Sequence, residues 1–79
     1  MTNIEKYDQV FTSTFMIEKA ALNDKLIYQS IQTWDSVGHM AMIAGLEEAF
    51  DIMMEIDDII DFSSYKKGKE ILAKYNVTL

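Results

Sequence analysis

A chain of 79 residues without one cysteine has to fold on apolar packing alone. Domains this small usually lean on disulfides or a bound metal, and the missing thiols remove disulfides, thiolate metal sites and any cysteine nucleophile together. Packing can suffice because 49% of the residues are apolar and only 25% are charged, the balance of a globular chain and not of a disordered tail. At about 150 residues per typical domain, residues 1–79 read as a single domain. The longest uncharged run, Ser36 to Leu46, has 11 residues, against the roughly 18 that a membrane-spanning helix needs. Glu5 and Asp8 stand where a secretory signal would be basic, so the expectation is a cytoplasmic protein with no membrane partner.

Apolar residues recur with the helical period, and no proline interrupts them. Thr2 and Glu5 have the spacing of a capping box, after which Ile4, Tyr7, Val10, Phe11, Thr14 and Phe15 form one stripe and predict a helix over 3–16. Residues 17–34 hold Leu22, Leu26, Ile27, Tyr28, Ile31 and Trp34 without a sustained period, which predicts a long connector tucking these side chains into the core. Asp35 or Ser36 caps a second helix that runs to Phe50 or Asp51. A short third helix over Asp57 to Phe62 is expected to bury Ile56, Ile59, Ile60 and Phe62. Ser64 caps a fourth, on which Tyr65, Gly68, Ile71, Leu72 and Tyr75 share an arc while Lys66, Lys67, Lys69 and Lys74 face water. Gly68 on the apolar arc predicts a close helix approach. The fold class is therefore all-α: a small antiparallel four-helix bundle, three main helices plus a short third, with a long loop between the first two.

The second helix carries two apolar arcs. With Ser36 at 0° and about 100° per residue, His39, Met42, Ile43, Leu46 and Phe50 fall between roughly 240° and 340°, an arc suited to the core. Met40, Ala44 and Val37 fall at roughly 40°, 80° and 100°, interleaved with Glu47 and Glu48. A bundle helix buries only one face, so the second arc predicts a docking surface of Val37, Met40, Ala44, Glu47, Glu48 and Asp51. The net charge is −6, and the segment from Leu26 to Tyr65 holds eight acids and no Lys or Arg. Nucleic acid is excluded as a partner on that balance, and basic protein surfaces are favoured.

Two chemical readings of these residues fail. Asp35, Ser36 and His39 invite a hydrolase triad, but they share one helical turn of a chain too small to enclose an oxyanion hole and a substrate cleft. His39 falls on the core arc and reads as a hydrogen-bonded, partly buried residue. The acids from Glu47 to Asp61 invite a calcium loop, but a loop starting at Asp51 puts Met53 at its third position, Ile56 where Gly is needed and Phe62 where Glu is needed. No metal site is expected.

Trp34-Asp35-Ser36-Val37, the following Leu46-Glu47-Glu48-Ala49-Phe50-Asp51 and the Asp57-Asp58 turn resemble the acyl carrier protein family, over Asp35 to Leu72 and more loosely over the first helix. Members of that family show Asp-Ser-Leu at the start of the second helix, with Val37 replacing the Leu here, and then a Leu-Glu-x-x-Phe run. The resemblance implies that Ser36 receives a 4′-phosphopantetheine arm from coenzyme A through a phosphodiester, and that the arm's thiol holds acyl groups as thioesters. It implies that Asp35 assists the modification by helping to position Mg²⁺. It also implies a monomeric carrier with no catalysis of its own, whose partners are a phosphopantetheinyl transferase and acyl ligase, synthase or transferase enzymes with basic docking surfaces. The residue chemistry agrees on two points: a phosphate at a helix start meets unpaired N–H groups and the positive end of the dipole, and a chain without Cys needs an imported thiol. An acyl pocket is expected between the second and third helices, lined by His39, Ile43, Leu46, Phe50, Ile59 and Phe62.

Gly38 and Ala41 stand where housekeeping fatty-acid carriers have acids, and Thr33-Trp34 precedes the Asp-Ser pair where they have small or aliphatic residues. Trp-Asp-Ser followed by His resembles stand-alone carriers of specialised pathways, loaded by dedicated ligases. An aminoacyl or hydroxyacyl carrier stays open beside the acyl one. From a different class, so does an unmodified helical adaptor that binds a partner through the second-helix face.

Overall fold

A computed structural model describes residues 1–79. It is all-helical, with four α-helices and no strand: α1 Asn3–Phe15, α2 Ser36–Phe50, α3 Ile56–Asp61 and α4 Tyr65–Ala73. Residues 16–35 connect α1 to α2 and hold one 3-10 turn, Lys19–Ala21. No helix is long and apolar enough to cross a membrane.

Local chemistry accounts for the helix ends. Thr2 and Glu5 form the expected capping box: the Glu5 amide donates to the Thr2 hydroxyl at 3.3 Å, and the Thr2 amide to Glu5 Oε1 at 2.9 Å. Asp35, not Ser36, caps α2, and Ser64 caps α4 through the Lys67 amide. α1 and α2 each end on a left-handed residue, Met16 and Asp51 respectively, which closes the last turn as glycine more often does.

The core is aromatic. Tyr7, Phe11 and Phe15 come from one stripe of α1, and Phe11 packs against Trp34, Phe62 and Tyr65 with centroids 5.3 to 6.2 Å away. Trp34, at the end of the connector, stacks on Phe15 at 5.0 Å. Gly68 leaves room for two core side chains, because a Cβ there would lie 2.1 Å from Phe62 Cζ and 2.3 Å from Tyr7 Oη. The Tyr7 hydroxyl donates to the Tyr65 carbonyl at 2.6 Å, and the Tyr65 hydroxyl donates to Asp8.

Two expectations about burial are corrected. Ile56 and Ile60 are each 73% exposed, because α3 has only six residues and turns Asp58 and Phe62 inward, which leaves the two isoleucines, one turn apart, on the outer face. Asp58 is buried and paired: Lys74 Nζ reaches its Oδ1 at 2.6 Å, and the Tyr75 hydroxyl donates to its Oδ2. Ile27 and Tyr28 are also exposed, since the backbone of residues 26–28 is pinned to the α3–α4 junction instead of entering the core. The Tyr28 amide donates to the Ser63 carbonyl at 2.8 Å, and the Tyr65 amide to the Leu26 carbonyl at 2.9 Å.

Candidate functional site

The start of α2 is held from behind. Trp34 is fully buried against Phe15, the Thr33 hydroxyl donates to the Phe15 carbonyl at 2.8 Å, and the Gln29 amide donates to the Trp34 carbonyl at 3.0 Å. An anchored Trp34 leaves the next two residues facing outward at a set position. Asp35 accepts the Gly38 amide through Oδ1 at 2.8 Å, and Ser36, the first residue of the helix, is exposed. Within α2 itself the first turn contains no acid, and the Asp35 carboxylate at the cap is the one negative group at this end of the helix.

Gly38 is a packing requirement. A Cβ at this position would sit 2.0 Å from the Thr33 carbonyl oxygen and 3.3 Å from Phe15 Cε1. Any side chain, including the acid expected of housekeeping carriers, has no room beside this connector.

His39 joins three elements. The Trp34 indole can only donate, so the 3.0 Å contact makes Nδ1 of His39 an acceptor, and Nε2 carries the proton that it donates to the Ile59 carbonyl at 2.8 Å. Both ring nitrogens are engaged and Asp35 is occupied as a cap, which leaves the Ser36 hydroxyl without a base of its own.

Ser36 opens onto a cleft of about 330 Å³ lined by Tyr28, Ser36, His39, Met40, Ile59, Ile60, Phe62 and Ser63. That is the small end of the range for ligand pockets, about 300–1,000 Å³. Of the expected pocket residues, His39, Ile59 and Phe62 line it. Ile43 and Leu46 do not: they are 1% and 0% exposed and belong to the closed core, with Phe50 half-buried against it. Tyr28, Ile60 and Ser63 were not expected in the cleft. Tyr28 and Ser63 meet only because two segments far apart in the chain pair their backbones, for which no local pattern exists.

Of the expected docking arc, Val37 is 77% and Met40 53% exposed, and Ala44, Glu48 and Asp51 are exposed with them. Glu47 departs from it: it is half-buried, and its Oε2 accepts the Met54 amide at 2.9 Å, tying the end of α2 to the segment that leads into α3. Its carboxylate holds the fold. No group of three or more His, Asp or Glu side chains converges on a point that would hold a metal ion. No protein-family model matches the chain, and no curated protein or solved structure is significantly similar to it.

Proposed function

We propose that this protein is an acyl carrier of a specialised pathway, modified on Ser36 with 4′-phosphopantetheine and handing thioester-bound acyl groups between partner enzymes. The observation that carries the reading is the exposed Ser36 at the first position of α2, next to a mostly apolar cleft and lacking a base. The residues fit the group. A phosphodiester on Ser36 faces the N-terminal turn of a helix with no acid in that turn, and the chain supplies no thiol that the arm would duplicate. When bound, the arm supplies a thiol that holds the acyl group as a thioester. Asp35 caps the helix and, by the family resemblance, helps place Mg²⁺ for the transferase.

In this reading the helices form a single antiparallel bundle with a long first loop, monomeric and cytoplasmic. The transferase and the acyl ligase, synthase or transferase dock through basic surfaces on Val37, Met40, Ala44, Glu48 and Asp51. The protein has no catalytic activity of its own. An aminoacyl or hydroxyacyl cargo is the variant within the class. The unmodified adaptor is supported by the same exposed arc, which would bind a partner directly.

Intact-mass measurement after incubation with coenzyme A, Mg²⁺ and a broad-specificity phosphopantetheinyl transferase separates the readings. Wild type gains one phosphopantetheine, and Ser36→Ala gains none while keeping its helical circular dichroism. Modification of Ser36→Ala would sink the assignment, and an unmodified wild type across several transferases would favour the adaptor.

A further inference from the structure

We infer that His39 is the floor of the cleft beside Ser36 and limits the cargo to a compact acyl group, so that a long unbranched chain leaves its tail in solvent. This rests on the carrier reading of Ser36. The wall is physical: the ring of His39 lines the cleft, and its two hydrogen bonds, from the Trp34 indole at 3.0 Å and to the Ile59 carbonyl at 2.8 Å, tie the first turn of α2 to both the connector and α3. A chain passing deeper between α2 and α3 would part the His39–Ile59 bond and leave a backbone carbonyl and an imidazole N–H unpaired in an apolar surrounding. Behind His39 there is no vacant space to reward that loss. Trp34 stacks on it with ring planes 14° apart, and Ile43 and Leu46 on the next turns of α2 are closed into the core.

The space in front is limited. An apolar cavity of about 150 Å³ accommodates benzene. The 330 Å³ here therefore takes on the order of a dozen non-hydrogen atoms by the same measure. Tyr28 and Phe62 each meet the His39 ring edge-on, at 5.5 and 6.2 Å, so the enclosure is aromatic on several sides and suits a short aliphatic or ring-bearing acyl group.

The test uses isotope-labelled full-length protein loaded by the transferase from hexanoyl- or palmitoyl-coenzyme A, with NMR as the readout. In wild type, the hexanoyl group should shift Tyr28, Ile59 and Phe62. The palmitoyl group should shift the same residues without moving the methyls of Ile43 and Leu46. His39→Leu keeps an apolar wall but removes both hydrogen bonds. In it, the palmitoyl chain should shift Ile43 and Leu46 at least as much as Ile59. His39→Gln retains an amide donor for the Ile59 carbonyl and should restore the wild-type pattern. Movement of Ile43 and Leu46 by palmitoyl in wild type, or an unchanged pattern in a folded His39→Leu, would overturn the inference. The same spectra with free hexanoyl-N-acetylcysteamine probe the cleft whether or not Ser36 accepts an arm. Shifts at Ile59 and Phe62 without Ser36 modification sink the carrier reading and keep the cleft, whereas modification of Ser36 with no cleft response does the reverse.

Discussion

Where side chains of α1 and α4 meet, Tyr7, Phe11 and Tyr65 are buried with their rings in contact, and one glycine leaves room for the Tyr7 hydroxyl and the Phe62 ring. Where α2 meets α3, Met40, Ile56 and Ile60 stand half to three-quarters in solvent. Two directional contacts secure that side, His39 to Ile59 and Glu47 to Met54, while Asp58 ties α3 to the end of α4 through Lys74 and Tyr75. The first region is held by close packing, which any change of volume disturbs. The second is held by polar pins around a cleft, which can be removed one at a time. A molecule built this way keeps its fold at one end while the other end is free to vary what it touches.

The sharpest break in that contrast is Gly68→Ala. Replacing Gly by Ala inside a helix ordinarily stabilises by about 0.5–1 kcal/mol. Here the new methyl overlaps Phe62 and the Tyr7 hydroxyl, so overpacking of about 1–3 kcal/mol and the loss of about 1 kcal/mol from the Tyr7–Tyr65 hydrogen bond should win. Urea unfolding should show a net loss of about 1–3 kcal/mol. Gly45→Ala is the control, because its methyl would meet only the end of Val10, at 3.0 Å, and the gain in helix propensity should roughly cancel the crowding. The same packing pushes the Tyr7 phenol well above its usual range by burial, and that of Tyr65 by burial and the bond to Asp8. A raised phenol stabilises the fold fully below the unfolded value of about 10 and less as pH rises past it, so unfolding should set in above that pH.

Asp58 gives the next largest effect, with the opposite sign in pH. Its hydrogen bond from Lys74 and then that from Tyr75 hold its carboxyl below the usual value of 3.8. A lowered carboxyl contributes stability above the unfolded value, and that contribution disappears as pH falls below about 3.8. Asp58→Asn keeps the shape and one acceptor oxygen, for Lys74, while its amide nitrogen faces the Tyr75 hydroxyl, and it cannot titrate. The difference in urea midpoint between pH 7 and pH 3 should therefore be smaller in the variant than in wild type, and an equal difference would mean that other carboxylates carry the acid sensitivity.

The starts of α1, α2 and α4 were legible in the chain because each is written within a turn of itself: the Thr2–Glu5 box, Asp35 before a long apolar run, and Ser64 before Tyr65; α3, which has no side-chain cap, runs Ile56–Asp61, one residue earlier than expected. The inward face of α3 was not legible. With isoleucine at 56, 59 and 60, hydrophobicity alone could not choose between faces, and the deciding residue was an aspartate whose partners arrive from α4. Of the candidate site, the position of Ser36 and the hydrogen-bonded character of His39 could be read. The cleft could be read only in part, since Tyr28 and Ser63 are brought to it by a backbone pairing between distant segments. The crowding at Gly38 was not legible for a related reason: its neighbour is the carbonyl of Thr33 in the connector, which no local pattern places there.

Glu47 and Glu48 separate a pin from a docking charge. Glu47→Lys removes the partner of the Met54 amide and should cost about 1 kcal/mol of stability. Glu48→Lys changes an exposed side chain, and should leave the urea midpoint unchanged while slowing association with the transferase by a factor that shrinks as salt rises. Equal stability loss in the two variants would show that the Glu47 contact does not hold in solution.

A small change in stability is also expected from Ile60→Ser, and it bears most directly on the contrast between the two regions. An isoleucine in a packed core would cost several kcal/mol on losing its branched side chain. Ile60 is 73% exposed, so most of its surface is wetted before the substitution and little burial is lost. Serine is only slightly less favourable than isoleucine inside a helix, and at the end of a six-residue helix that difference is smaller still. The unfolding free energy from urea titration should therefore change by less than about 0.5 kcal/mol. Ile60 nevertheless forms part of the cleft wall, so the same variant should weaken the NMR response of Ile59 and Phe62 to a hexanoyl group on Ser36. A stability loss comparable to that of Gly68→Ala would mean that the outer face of α3 is covered in solution, and the division between a packed end and an adaptable end would no longer hold.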